Sequence, residues 1–145
     1  MTCQRETPYY VAVTSGGFSC GGTLIDAQTV LTAAHCVDSA ANNRDVLVYT
    51  DKTSRFSNSG TPHTGTLTIH PAYNTNNLDN DVAIVVLDSP VTFSETVRPA
   101  CLNRNPIGTG TDLRISGWGL AETGGQATTS MLTIQVRKEE AVFRQ

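Results

Sequence analysis

The chain has 145 residues, of which 39% are hydrophobic and 16% charged, and it carries a formal net charge of −3. That length is enough for one domain with a real core, and the composition is typical of globular rather than disordered proteins. The small acidic charge and the lack of a Lys/Arg cluster exclude the usual electrostatic footprint of a nucleic-acid-binding protein. No apolar run approaches the roughly 20 residues of a membrane span, so we expect neither nucleic acid nor membrane as a partner.

Short runs rich in β-branched residues recur along the chain, and several of them alternate apolar and polar residues, as half-buried strands do. In chain order they cover residues 9–13, 29–34, 46–50, 66–70, 82–87, 113–116 and 132–136. Clusters of Gly, Asn, Ser and Pro separate them. This pattern predicts an all-β fold, a barrel or sandwich, rather than a parallel sheet with crossover helices. The last nine residues, 137–145, fit a short helix and a frayed tail equally well.

A change of composition divides the chain. Residues 97–112 contain Pro99 and Pro106 and are predicted to form a linker. Residues 1–96 hold five or six strands, enough for one small antiparallel β-barrel. Residues 113–145 hold only two strands, which cannot bury a core of their own. We therefore expect a complete first barrel followed by only the beginning of a second one.

The four cysteines are Cys3, Cys20, Cys36 and Cys101, and they allow three complete pairings. None forms a C-x-x-C pair, so structural disulfides are favoured over a metal site, and disulfides imply an oxidising compartment. The first ten residues lack the basic and apolar segments of a signal peptide. Two interpretations stay open: an intracellular protein, or a chain whose natural N-terminus is missing.

His35 ends one of the predicted strands and stands directly before Cys36. A single histidine beside an apolar run is more often a structural residue than a catalyst. A Cys20–Cys36 bridge would change this interpretation, because it would close a loop of about 15 residues and stabilise the fold by roughly 3 kcal/mol. Such a bridge would also hold the backbone next to the imidazole, which a catalytic base needs.

Two aspartates, Asp79 and Asp81, lie on a polar loop that leads into the strand predicted over 82–87. The simpler interpretation is an ordinary turn with Asx capping. The functional interpretation is that Asp81, at the mouth of a buried strand, is partly desolvated and pairs with an imidazole. A carboxylate in that position selects the histidine tautomer and stabilises the imidazolium that forms during catalysis.

Six segments of the sequence together resemble segments of a known protein family. They are PYYVAV, CGGTLIDAQTVLTAAHCV, HPAYN, DNDVAIVVL, VRPACL and SGWG, in this order. With these segments the chain closely resembles the trypsin/chymotrypsin-like serine proteases. The resemblance implies two antiparallel β-barrels with the active site between them, a protein or peptide substrate, no cofactor and an extracellular location.

The resemblance also assigns roles to individual residues. It maps His35 to the general base and Asp81 to the aspartate that orients this base. It matches Cys20 and Cys36 to the disulfide that brackets the histidine loop. Gly117, Trp118 and Gly119 match the Gly-Trp-Gly at the start of the second barrel.

The nucleophile of the family is missing from these residues. In the family it is a serine in a Gly-Asp-Ser-Gly-Gly-Pro motif downstream of Gly-Trp-Gly, and residues 1–145 contain no such motif. The serines at 15 and 130 lie in a hairpin and before a strand. The oxyanion hole and the walls of the specificity pocket belong to the same missing region. The sequence therefore predicts a truncated chain that is inactive alone.

Other candidate sites have simpler interpretations. His63 and His70 are isolated and are expected to be structural or solvated. Residues 49–65 match a loop that binds calcium in many animal trypsins, but they contain one aspartate and no glutamate. Because a hard cation needs six or more oxygen ligands, usually several of them carboxylates, we expect no metal. Cys3 and Cys101 have lost their usual family partners, and their pairing with each other is an open alternative.

Two functional hypotheses follow. The first is a trypsin-like serine endopeptidase represented by its N-terminal portion. The second is a non-catalytic protease homologue that acts as a binding module. Under either hypothesis, the face that the first barrel would bury against a second one is exposed, so we expect self-association.

Overall fold

The structure is a computed structural model that describes residues 7–54, 59–118 and 131–138. Its strands are β1 (Tyr10–Ser15), β2 (Phe18–Leu24), β3 (Thr29–Thr32), β4 (Leu47–Thr50), β5 (Thr61–Ile69), β6 (Ala83–Leu87), β7 (Asp112–Gly117) and β8 (Leu132–Arg137). The first six strands form a closed barrel in the hydrogen-bonded order β1-β2-β3-β6-β5-β4, and β7 pairs with β8 in a separate two-stranded sheet. All pairings are antiparallel. The predicted all-β fold is confirmed.

The alternation of side chains along each strand builds the barrel core. In β6, Ala83, Val85 and Leu87 are buried, whereas Ile84 and Val86 are 38% and 48% exposed. Successive side chains of a strand point to opposite faces, so one face of this nearly all-apolar strand lines the barrel interior. The strand predicted over 82–87 is thus buried on its inner face, whereas its outer face is partly open to solvent.

Strand β2 was not predicted, because its sequence FSCGGTL is rich in small and polar residues. The structure explains Gly22, one of the two glycines in this strand. A Cβ atom on Gly22 would lie 2.8 Å from Val13 Cγ2 and 2.9 Å from Val30 Cγ1. The valines of the two neighbouring strands occupy the space that a side chain at this position would need. The sequence suggests a turn here, but the barrel requires glycine because only glycine fits between these valines.

The segment after the barrel is fastened to it at two backbone positions. Arg98 N–H donates to the Pro8 carbonyl at 3.0 Å, and Ala100 N–H donates to the Leu24 carbonyl at 2.8 Å. Residues 101–110 are all exposed. The division into 1–96, 97–112 and 113–145 stays a prediction, and the tail at 139–145 lies outside the described residues.

The second sheet contacts the barrel through an aromatic pair. The rings of Tyr10 and Trp118 pack edge to face with centroids 5.0 Å apart. Edge-to-face geometry is favourable because the positive ring edge meets the negative ring face. Thr7 Oγ1 also donates to Met131 Sδ at 3.1 Å. These contacts place the end of β7 and the start of β8 against the beginning of β1.

A charged cluster joins the loop before β4 to the end of β6. Arg44 donates two hydrogen bonds to the Asp88 carboxylate, both at 2.7 Å, and a third to Thr66 at 2.8 Å. Thr64 donates to the same carboxylate. The Arg44 guanidinium and the Thr64 hydroxyl lower the pKa of Asp88 to about 2. These charge-assisted hydrogen bonds connect the loop that carries Arg44 to β5 and to the residue just after β6.

We predict that this cluster makes stability depend on acid pH. Because the folded pKa of Asp88 is about 2 and the unfolded pKa is about 3.9, its contribution is complete above about pH 4 and is lost as the pH falls toward 2. Asp88→Asn should therefore lower the urea midpoint at pH 6, and the difference from wild type should vanish near pH 2. Asp112→Asn is the matched control, because Asp112 and its partner Arg137 are both 64% exposed and such pairs contribute little. Equal urea midpoints of wild type and Asp88→Asn at pH 6 would contradict the prediction.

Candidate active site

His35 lies on a single 3₁₀ turn, Ala34–Cys36, that directly follows β3. Its neighbours anchor the turn: Ala34 and Val37 are fully buried, and Cys36 is 8% exposed. With apolar residues on both sides inserted in the core, the His35 side chain is turned outward and is 51% exposed. The strand predicted over 29–34 thus ends at Thr32, and the change to a 3₁₀ turn presents the imidazole to solvent.

A disulfide fixes this turn to β2. Cys20 and Cys36 are bonded across a sequence separation of 16 residues, as predicted. Cys20 is partly buried and packs against the barrel core. The bridge joins the residue next to His35 to a central strand, so the backbone below the imidazole cannot move independently of the barrel.

Asp81 comes from the loop between β5 and β6, two residues before β6 begins. Side-chain and backbone hydrogen bonds shape this loop: the Asn80 side chain donates to the Ala72 carbonyl at 2.9 Å, and the backbone N–H of Asn74 donates to the Asp79 carbonyl at 3.0 Å. Asn80 has a φ of 55°, a left-handed conformation that asparagine tolerates better than most residues. The asparagine-rich composition therefore allows the tight path that delivers Asp81 to the end of the barrel.

His35 and Asp81 meet although they are 46 residues apart in the chain. The imidazole Nδ1 lies 2.6 Å from Asp81 Oδ2, and the His35 N–H donates to Asp81 Oδ1 at 2.8 Å. The backbone N–H of His35, followed by its side chain, lowers the pKa of Asp81. The carboxylate is therefore ionised at neutral pH and can only accept hydrogen bonds, so Nδ1 carries the proton and Nε2 of the neutral ring is an acceptor.

The arrangement suits proton transfer at Nε2. The recorded contact of this atom is Cys36 Sγ at 3.6 Å, and no serine hydroxyl of the described residues hydrogen-bonds to it. An imidazole held at Nδ1 by an ionised carboxylate can accept a proton at Nε2, and the carboxylate then stabilises the resulting cation. Within residues 7–54, 59–118 and 131–138, the geometry thus leaves Nε2 able to accept a proton, with no serine hydroxyl hydrogen-bonded to it.

A cavity of about 500 Å³ adjoins Asp81. Asp81 and Val82 form part of its wall, and Arg114 and Ser116 of β7 line it from the second sheet. Asp81 therefore lies where the barrel and the second sheet approach each other, rather than on an outer surface of the barrel.

The structure separates the other polar candidates from this pair. Asp79 accepts a hydrogen bond from the Asn77 side chain at 2.8 Å and is exposed. His70 Nδ1 accepts from the Ala72 N–H at 3.1 Å, within its own turn. His63 pairs with the Thr50 hydroxyl at 3.0 Å, and burial lowers its pKa. All three have local partners of the kind expected for structural residues.

Cys20, His35 and Cys36 place three potential metal-ligating atoms within 4.8 Å of one another. The two sulfurs are bonded to each other, and thiolates rather than disulfide sulfurs are the metal ligands of cysteine. The donor set therefore does not fit a metal while the bridge is intact. The expectation of no calcium in residues 49–65 stays a prediction, since residues 55–58 lie outside the described part.

The family model for Trypsin matches residues 2–145. The chain belongs to the trypsin family. Pig trypsin is 36% identical over 138 residues, which cover 90% of this chain and 56% of the relative. Dog serine protease 1 is 37% identical over 129 residues, covering 86% and 50%. The vitellin-degrading protease of Bombyx mori is 38% identical over 123 residues, covering 83% and 46%. The chain thus spans about half the length of these relatives.

Membership in the trypsin family confirms the resemblance found in the six sequence segments. Trp118 of the expected Gly-Trp-Gly is 9% exposed at the end of β7, whereas Gly119 lies outside the described residues. Cys101 is exposed, and its pairing with Cys3 stays an open alternative because Cys3 also lies outside the described residues. In the described part of the chain, no helix is long and apolar enough to cross a bilayer.

We predict that the Cys20–Cys36 bridge contributes about 3 kcal/mol to the free energy of unfolding, because it closes a loop of about 15 residues in the unfolded chain. The double variant Cys20→Ala/Cys36→Ala should show this loss in urea denaturation. Cys101→Ala is the matched control, since this thiol is exposed and outside the bridge. A double variant as stable as Cys101→Ala would contradict the prediction.

Proposed function

We propose that His35 is the general base and Asp81 its orienting carboxylate in a trypsin-like serine endopeptidase. The observation that carries this proposal is the 2.6 Å contact between His35 Nδ1 and Asp81 Oδ2, with the outward-facing imidazole 51% exposed. In the proposed reaction, His35 Nε2 takes the proton of a serine hydroxyl as that oxygen attacks the scissile carbonyl. The same nitrogen then gives the proton to the leaving amine.

The role of Asp81 in this mechanism is electrostatic and geometric. The lowered pKa of Asp81 keeps the carboxylate charged, so it stabilises the imidazolium without becoming protonated itself. Its second oxygen is occupied by the His35 N–H at 2.8 Å. This double attachment sets the angle at which the ring presents Nε2 to a nucleophile.

The serine of this reaction is proposed to lie outside residues 1–145. None of the ten serines in this sequence stands in a Gly-Asp-Ser-Gly context. The oxyanion-hole donors would come from the same missing motif, and catalysis without a triad depends on such donors and on substrate binding. We therefore propose that the 145-residue polypeptide alone does not hydrolyse peptide bonds.

A protein or peptide substrate and an extracellular location form part of the same proposal. The substrate class follows from the peptidase assignment. The Cys20–Cys36 disulfide supports the location, because such bonds persist in oxidising compartments.

Two polypeptides test the proposed function. The purified 145-residue chain should give no turnover of a chromogenic arginine amide and no labelling by a fluorophosphonate probe. A longer form that includes a Gly-Asp-Ser-Gly-Gly motif should be labelled, and His35→Ala should lower its kcat by roughly 10⁴-fold or more.

The control in the longer form is His70→Ala, because His70 is bonded within its own turn and should leave kcat nearly unchanged. Labelling of the short chain would contradict its proposed inactivity. An active longer form that tolerates His35→Ala would contradict the assigned base. A longer form with no activity at all would instead favour the non-catalytic binding module.

We also propose that the short chain self-associates through the exposed inter-barrel face, and that apolar residues of the second sheet contribute to it. Ile115 and Ile134 face each other across β7 and β8, and each is 55% exposed. An isolated two-stranded sheet is marginal, and exposed apolar surface of this kind favours association.

Sedimentation velocity at rising concentration tests this proposal. Ile115→Thr/Ile134→Thr should shift the chain toward monomer, because it removes the apolar surface but keeps β-branched residues in both strands. Phe18→Thr is the control. Phe18 is 61% exposed and lies at the turn of the β1–β2 hairpin, whereas Tyr10, which contacts Trp118, lies at the opposite end of that hairpin. A wild-type chain that stays monomeric throughout would contradict the proposal.

A further inference from the structure

A second connection joins the two loops that carry His35 and Asp81. The Tyr73 hydroxyl donates a hydrogen bond to Asp38 Oδ2 at 3.1 Å, across 35 residues of sequence. Tyr73 belongs to the loop that ends at Asp81, and Asp38 follows His35 by three residues. The contact therefore bridges the same two loops as the His35–Asp81 pair, but at a different point.

Tyr73 is firmly placed on its own loop. Its ring is partly buried and packs against the barrel core. Its N–H donates to the His70 carbonyl at 2.9 Å, and the Asn80 side chain closes the loop by donating to the Ala72 carbonyl. Because the ring packs against the core and the backbone is hydrogen-bonded, the position of the Tyr73 hydroxyl is fixed.

Asp38 is also held in place. It follows the fully buried Val37, and the Ala40 N–H donates to the Val37 carbonyl at 3.1 Å around it. Ser39 Oγ donates to Asp38 Oδ1 at 3.3 Å, so Oδ2 is the oxygen that meets Tyr73. Both partners are therefore positioned by their own loops before they meet.

The two connections lie at different points of the segment that carries His35: one is at His35 itself, and the other is three residues toward the C-terminus, at Asp38. Asp81 accepts from the His35 N–H and from its imidazole, and Asp38 lies beyond the 3₁₀ turn, toward the C-terminal side. One attachment point would let the two loops pivot against each other, whereas two points fix their relative orientation. A pivot would alter the 2.6 Å contact between Nδ1 and Oδ2.

We infer that Tyr73 and Asp38 are positioning residues, whose hydrogen bond keeps the Asp81 loop in register with the His35 turn. Their importance for catalysis rests on the proposed function, but their effect on the geometry does not. Burial first, and then the Asp38 and Asp81 carboxylates, raise the pKa of Tyr73. The phenol therefore stays a neutral donor well above neutral pH.

Amide hydrogen exchange of the full 145-residue chain, read at single residues by mass spectrometry, tests this inference without any activity assay. The reporter is the His35 N–H, which is bonded to Asp81 Oδ1. Tyr73→Phe keeps the ring but removes the donor, so the His35 amide should exchange about fivefold faster, the equivalent of about 1 kcal/mol. Amides of β6 should be unchanged.

Tyr49→Phe is the matched control, because it makes the same chemical change on β4, where Lys52 lies over the ring. Asp38→Ala should reproduce the effect with the Tyr73 ring intact, and the double variant should be no faster than either single one. Unchanged His35 exchange in Tyr73→Phe and Asp38→Ala would overturn the inference. So would an equal acceleration in all barrel strands, which would mark Tyr73 as a merely structural residue. Neither result bears on whether His35 is the base of a peptidase.

Discussion

The antiparallel pairing of β3 with β6 is the constraint on which the site depends. In its register Thr32 lies opposite Ala83, so the end of β3 and the start of β6 are neighbours at one end of the barrel. The residue three positions after Thr32 is His35, and the residue two positions before Ala83 is Asp81. A slip of one residue would exchange the inner and outer faces of β6. The buried Val85 and Leu87 therefore also hold the imidazole and carboxylate in register.

The site is built from two rigid supports and one exposed side chain. The disulfide ties the His35 turn to β2, and asparagine-shaped turns hold the loop that carries Asp81. Because both supports are anchored in the barrel, the imidazole can be half exposed and still have one orientation. Catalytic groups need this combination, since reaction requires access while proton transfer requires fixed geometry.

The barrel is complete, whereas the second sheet has only two strands in the described part of the chain, and the two differ in how much apolar surface they bury. The barrel closes on itself and buries its own core. The β7–β8 sheet leaves apolar residues such as Ile115 and Ile134 exposed and lines a cavity beside Asp81 with Arg114 and Ser116. The described part of the chain therefore holds the His35–Asp81 pair in a fixed geometry, and Asp81 borders a cavity that the second sheet also lines. The proposal that His35 acts as a general base rests on this geometry and on the similarity to trypsins.

The sequence by itself determined the family, the all-β class, most of the strands and the candidate pair, because these depend on local patterns. Alternation in residues 82–87, the asparagine-rich loop before them and the LTAAHC segment are all visible within short windows. Only the tertiary structure decided which polar groups meet. It showed the contact between His35 Nδ1 and Asp81 Oδ2, added the His35 N–H as a second donor to Asp81, and connected Tyr73 with Asp38. It also showed that the glycines of β2 belong to a strand, since the reason for Gly22 is the pair of valines on the neighbouring strands. Contacts between residues far apart in the chain depend on strand register and barrel closure, and no local pattern encodes them.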